Sequence, residues 1–306
     1  MEIVEGTAAV VTGAGGGMGR SIALALAGRG VDVVVADIEG AAAESVAKEI
    51  EALGRRSIGV QVDVSQRDAV EELADLAYDW HGSVEILVNN AGVTLRPFRA
   101  SWDTSYEDYR WVMDVNFWGV LHGHAAFVPR MRATPGPKHI VNTSSMGTMA
   151  MSAGHSAYNV SKAAVEALSL TARNELRGQG IGVSILHPGA VRTRITTSER
   201  LRSAQDRSAE RGVTPWSTYV EQVTNPITDA KPGDLQPSAE DPDVPTTWAD
   251  YITPAATGWL VIRGIERELA HILTHACPRE AILARAEDVL AGLPDYTEWP
   301  GASSAS

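Results

Sequence analysis

Short apolar runs, most of them closed by glycine, aspartate or asparagine and alternating with helical patterns, divide the first two thirds of the chain. Residues 7–12, 31–36, 57–62, 86–88, 140–142 and 183–186 form such runs, with helical spacing over roughly 18–29, 41–53 and 68–80. A strand with one solvated face alternates apolar and polar residues, whereas an unbroken apolar run needs cover on both faces. Strands of that kind, separated by helices, predict a parallel sheet with helices packed on each side. The right-handed crossover preference then leaves a doubly wound α/β fold as the economical topology.

The pattern changes after Arg194. Residues 195–211 are polar and charged and are predicted to be helical in part. Between 213 and 254 stand Pro215, Pro226, Pro232, Pro237, Pro242, Pro245 and Pro254, interleaved with Trp216, Tyr219, Trp248 and Tyr251. So many prolines forbid a long helix or a central strand, while four large aromatics argue against a freely solvated linker. A partly mobile substrate lid is the expectation for this stretch. From 257 onward a helix, a short strand at 269–273 and a last helix over about 279–290 are predicted. The chain is therefore read as one domain, 1–306: a core at 5–195, a lid insertion at 195–256 and a helix–strand–helix ending at 257–306.

Composition narrows the function classes. The chain has 306 residues, 44% of them hydrophobic, enough for a sizeable core. A formal charge of -12 and a pI near 5.1 give no basic field for nucleic acid or an anionic membrane. One cysteine, Cys277, rules out an internal disulfide and fits a reducing compartment. Neither a signal-peptide layout nor a run of about 18 apolar residues is present, so a cytoplasmic protein is expected. No His/Cys/Asp grouping has the spacing of a metal motif, and no metal is expected.

Candidate chemistry begins in the first strand-to-helix turn, Thr12-Gly13-Ala14-Gly15-Gly16-Gly17-Met18-Gly19. Glycines there let backbone N–H groups approach a pyrophosphate at the positive end of a helix. Asp37, ending the second run, can accept both hydroxyls of an adenosine ribose and would repel a 2′-phosphate. Position 38 is Ile, and no arginine interrupts the glycine loop. NAD is favoured over NADP on these grounds, with Arg20 as the one nearby cation. Asp63-Val64 and Asn89-Asn90-Ala91-Gly92 close the third and fourth runs, where such sheets bind ligands. Farther along, Tyr158 and Lys162 lie four residues apart, one turn above the other on a helix face. An ammonium beside a phenol is expected to favour the phenolate, making a proton acceptor for an alcohol or a donor for a ketone.

These motifs together resemble the short-chain dehydrogenase/reductase family, in its single-domain Rossmann-fold branch. The resemblance rests on the glycine loop at 12–19, Asn-Asn-Ala-Gly at 89–92 and Asn116 in Val-Asn-Phe-Trp-Gly. It continues with Ser145 thirteen residues before Tyr158, Lys162, and Pro188-Gly189-x-Val191-x-Thr193. It covers about residues 5–195. It implies that Tyr158 exchanges the proton with the substrate oxygen, and that Lys162 tunes it and holds the nicotinamide ribose. Ser145, rather than Ser144, would bind the substrate oxygen. Asn116 would interrupt its helix and hold a water linking Lys162 to solvent. Gly13, Gly17, Met18, Gly19, Asp37, Asp63, Val64, Asn90, Ala91, Gly92, Pro188, Gly189, Val191 and Thr193 would line the cofactor.

The family's usual ending, Thr-Gly, an apolar strand and Asp-Gly-Gly, is missing, which puts its common tetramer contact in doubt. The helices carrying Asn116 and Tyr158 could still pair in a homo-oligomer. The tail, with Val-Pro-Arg-Met at 128–131, is similar to bacterial members that oxidise bulky aryl secondary alcohols, including lignin-type Cα-dehydrogenases. The implied function is NAD-dependent interconversion of a bulky secondary alcohol and its ketone. An NADP-dependent ketone reductase and a non-catalytic dinucleotide sensor are the alternatives. His155 is read as a pocket-wall or surface residue, His122 and His124 as core or dimer contacts, and His187 as structural.

Overall fold

In the computed structural model, residues 1–149, 151–219, 250–275 and 279–293 are described. Cys277, Trp248 and the prolines from 226 to 245 lie outside them. Seven parallel strands form one sheet: β1 (Ala8–Thr12), β2 (Asp32–Asp37), β3 (Ser57–Gln61), β4 (Ile86–Asn89), β5 (Lys138–Thr143), β6 (Ile181–His187) and β7 (His271–Leu273). Their order is β3-β2-β1-β4-β5-β6-β7. Pairing puts Val10 opposite Val34 on one side and Leu87 on the other.

The apolar runs of the inner strands are buried on both faces, as their lack of alternation predicts, whereas β3, at the sheet edge, is half-buried at Ile58 and Val60 and exposed at Gln61. Ala9, Val11, Val33, Val35 and Val88 point to one side, onto α1 (Gly17–Ala27), α2 (Gly40–Ala52) and α8 (Pro254–Glu266). Val10, Val34, Leu87 and Ile140 point to the other, onto α3 (Arg67–His81), α5 (Gly119–Ala133) and α6 (Ser156–Glu175). The period of two is that of a pleated strand. Ile22 and Leu26 of α1 are fully buried, each such side chain contributing about 1.5–3 kcal/mol.

Between β4 and α5 lies α4 (Tyr106–Met113), which runs without a break through a π-helical turn, Asp114–Trp118. After β6 the chain forms a 3-10 segment, Arg194–Leu201, and a one-turn helix, α7 (Ser208–Arg211), in keeping with the partly helical expectation. Residues 250–254 return to the sheet, where Val191 and Ile252 form a parallel bridge. The last helix, α9, spans Arg279–Ala291. Strand order reverses between β1 and β4, so the crevice at their carboxyl ends is where a ligand is accommodated.

Candidate active site

A cleft of about 700 Å³ opens at that crevice. Its walls are the ends of six strands, the Tyr158 face of α6 and the 3-10 segment. Seventeen of the eighteen residues singled out from the sequence line it; Asn116 sits behind the wall, fully buried.

The glycine loop is shaped by close approach. Gly13 has φ +62°, and a Cβ there would lie 2.7 Å from Ala91 Cα; one at Gly19 would lie 2.2 Å from Gly13 O. No side chain caps the start of α1 and no acid occupies its first turn, so its N–H groups face the cleft unneutralised. Asp37 accepts from Gly15 N at 2.8 Å and Glu39 N at 2.9 Å, which fixes its carboxylate at the cleft edge. Arg20 pairs with Glu49 and does not line the cleft. The arginines that do reach this rim come from the far segment. Arg194 and Arg200 each donate to Glu39 at 2.8 Å. Asp63 accepts from the Ser65 hydroxyl and amide, holding its turn. Asn90 donates to Thr12 O and Gly13 O, binding β4 to the glycine loop, while its Oδ1 is buried without a partner. Thr143 Oγ1 is likewise buried and unpartnered beside the cleft. Buried polar atoms are rarely left so, and a dinucleotide's many donors and acceptors suit this lining. The residues fit the group.

At the inner end, Ser145 follows β5, and its hydroxyl hydrogen-bonds Tyr158 and accepts from Gly147 N at 3.0 Å. Ser144, its neighbour, donates to Lys162 O at 3.0 Å and is fully buried, which separates the two serines as the spacing does. Lys162 Nζ donates to Thr143 O at 2.8 Å and sits 5.7 Å from the Tyr158 ring centroid. Asn116, in the middle of the π turn, exchanges two hydrogen bonds with the Val93 backbone, 2.8 and 3.0 Å, and donates to Ser161 at 2.9 Å. One extra residue in the helical turn aims it there. Its side chain is thus occupied in pinning the helix to the β4 exit.

The electrostatics differ from the expectation in one respect. Burial raises the Tyr158 pKa, opposed by the Ser145 hydrogen bond, and burial pushes Lys162 down to about 7. Desolvation of the charged form sets the direction at each group. Lys162 is thereby brought near neutrality, the range in which a proton carrier works best.

Several contacts were not legible in sequence. His155 stacks on Tyr158, ring centroids 4.7 Å apart at 14°, and its Nε2 lies 3.0 Å from Thr94 Oγ1. Phe98 meets His155 edge-on at 4.2 Å, and the Arg96 guanidinium covers Phe98 at 3.9 Å. Burial, with the Arg96 charge, pushes His155 down to about 3, so it is a neutral wall of the cleft. His124 is inside the core, hydrogen-bonded to Asn142 at 2.9 Å. His122 lies 3.0 Å from Val64 O. Farther out, Asp108 of α4 is fully buried among Arg99, Arg202 and Arg211, at 2.8, 2.7 and 2.5 Å. Arg99 also pairs with Glu199. This ionic hub anchors the 194–211 segment over the cleft. Its signal in the sequence was faint: Asp108 falls four residues before buried Val112, on the same helix face.

A dinucleotide cradle at one end and a Ser/Tyr/Lys group at the other define a nicotinamide-dependent oxidoreductase. The family model for short chain dehydrogenase matches residues 7–204, and the chain belongs to that family. The chain is 39% identical over 186 residues to the 1-deoxy-11-beta-hydroxypentalenate dehydrogenase of Streptomyces exfoliatus, covering 61% of this chain and 68% of that one. It is 35% identical over 206 residues to a C alpha-dehydrogenase of Sphingobium sp., covering 67% of each. A short chain dehydrogenase/reductase from Burkholderia phymatum, solved in complex with NAD, superposes with a TM-score of 0.81 at 31% identity, over 95% of this chain and 96% of that one. Among the described residues no helix is long and apolar enough to cross a membrane.

Proposed function

We propose that the protein is an NAD-dependent dehydrogenase that oxidises a bulky, largely apolar secondary alcohol to its ketone. The observation that carries this reading is the convergence of Ser145, Tyr158 and Lys162 at one end of a single cleft whose other rim is the Asp37 carboxylate. Asp37 would take the adenosine ribose hydroxyls, and its charge disfavours a 2′-phosphate. The glycine loop would hold the pyrophosphate, and Pro188, Gly189, Val191 and Thr193 the nicotinamide end. Bound there, the nicotinamide accepts or returns a hydride.

The chain's own residues handle position and protons. Ser145 hydrogen-bonds the substrate oxygen and fixes the carbinol carbon in place. Tyr158 takes the hydroxyl proton as the hydride leaves the carbon, so two electrons and two protons depart in all, as one hydride and one proton, and a ketone remains. Lys162 passes that proton on. Asn116, through the π turn, keeps the Lys162 surroundings in register. Trp111, Met146, Val191, Leu201 and Tyr251 give the substrate end an apolar wall, which favours a large substrate. The segment 195–256 is read as the substrate cover.

Tyr158→Phe tests the chemistry. NADH formation should fall by about 10²–10⁴-fold, the span of a lost acid–base group, while NAD affinity stays within a factor of about two. A fully active Phe variant overturns the mechanism. Tight NAD binding by the wild type, without turnover on any alcohol or ketone, would favour the sensor.

A further inference from the structure

We propose that Glu166, His187 and His271 form a binding site for a divalent transition-metal ion, zinc by preference, outside the dehydrogenase cleft. The three residues come from α6, β6 and β7 and are far apart in the chain, so no sequence spacing announces them. In the fold, one ligand atom from each lies within 4.8 Å of the others.

The geometry has the features of a histidine metal site. His187 Nε2 and His271 Nδ1 are 3.0 Å apart, with the rings tilted 32°. Two imidazole nitrogens on a tetrahedral zinc, each at about 2.0–2.1 Å, stand about 3.3–3.4 Å from one another. Opening the pair by a few tenths of an ångström therefore admits an ion. The Glu166 carboxylate has farther to come, a side-chain rotation inward from the same helix that carries Tyr158 and Lys162. Two imidazoles and a carboxylate suit zinc, which also leaves a fourth position for water.

The outer partner of His187 supports the assignment. Its Nδ1 lies 3.3 Å from Ser145 O. A carbonyl can only accept, so Nδ1 carries the proton and Nε2 offers its lone pair toward His271. Metal-bound histidines are oriented in this way, by donating the other ring N–H to a backbone carbonyl. His271 Nδ1 then donates to His187 in the metal-free pair. On binding, that proton moves to Nε2 of the same ring, which leaves both inner nitrogens free to ligate and the net charge of the ring unchanged. His187 is fully buried, whereas Glu166 and His271 are half-buried, so an ion has a way in from the β7 edge.

An ion at this point would tie β6, β7 and α6 together and hold the carbonyl of Ser145 through His187. It would brace the site without touching the substrate.

The test uses the full-length protein stripped with chelator, then titrated with Zn²⁺ by calorimetry and with Co²⁺ by visible absorbance. Wild type should bind one equivalent of Zn²⁺ with a Kd in the micromolar range or tighter. Its Co²⁺ form should show the visible bands of a low-coordinate N/O site, and its Tm should rise by several degrees with Zn²⁺. His271→Gln and Glu166→Gln should each weaken Zn²⁺ at least tenfold, while their metal-free Tm and NAD affinity match the wild type. Buried His187 is left intact, so both variants are expected to fold. Absence of saturable binding, or binding in both variants as tight as in the wild type, overturns the site and leaves a structural histidine pair.

Discussion

Asp108→Asn probes how the cleft is covered, because one buried carboxylate holds three guanidiniums there. Asp108 is fully buried and takes Arg99 on one oxygen and Arg202 and Arg211 on the other. Glu199 would be left alone to offset the group. Removing one partner of a buried ion pair typically costs about 3–5 kcal/mol, because a desolvated charge remains. That is a large part of the roughly 5–15 kcal/mol stability of a domain. Urea unfolding of wild type and variant reads it directly. Because the 194–211 segment lines the cleft, KM for substrate should rise severalfold while kcat, set by Tyr158 and Ser145, changes little. The pH dependence follows from the carboxyl. Burial pushes its pKa up, but the hydrogen bonds of Arg211 and Arg202 and the Arg99 charge prevail and hold it below its ordinary value. Its contribution is therefore full above the unfolded value of about 3.9 and is lost as pH falls through the folded one. The difference between wild type and variant should be greatest at neutral pH and shrink below about pH 4. A loss under about 1 kcal/mol with unchanged KM would refute the anchoring role.

Two further outcomes test other parts of the account. Ser145→Ala should lower kcat by about 10²-fold or more, whereas Ser144→Ala should cost about 0.5–1.5 kcal/mol of stability through the lost hydrogen bond to the Lys162 carbonyl and leave most activity; steady-state kinetics beside thermal melts separate them. Burial holds His124 at about 4 and His139 at about 3. Their unfolded value is about 6.5, so the unfolded chain binds more protons below that pH. Stability should then fall on acidification by about 1.4 kcal/mol per pH unit for each, and a Tm that stays flat from pH 7 to 5 would contradict it.

The fold was legible because its evidence is local. Each strand needs only a handful of adjacent apolar residues, and each turn announces itself by glycine or a short polar residue. The cleft lining was legible for the same reason, since strand ends place Gly13, Asp37, Asn90 and Ser145 in neighbouring positions. What escaped was the pairing of polar groups distant in the chain. Arg202, Glu199 and Ser208 look like a solvated helix face in sequence, yet they pack around Asp108 about a hundred residues earlier. The column from Arg96 through Phe98 and His155 to Tyr158 depends on where the β4 exit loop falls, which no periodicity encodes. The expected effect of Lys162 on Tyr158 missed burial, because a sequence shows how far apart two charges are along a helix but not how dry their surroundings will be.

The central claim is tested most directly by absorbance at 340 nm, with NAD and NADP run in parallel against secondary alcohols from small aliphatic to bulky aryl. NADH formation that rises with substrate bulk, and an NAD preference that relaxes in Asp37→Ala, is the predicted result. Turnover with NADP alone, or a preference unmoved in Asp37→Ala, would contradict it.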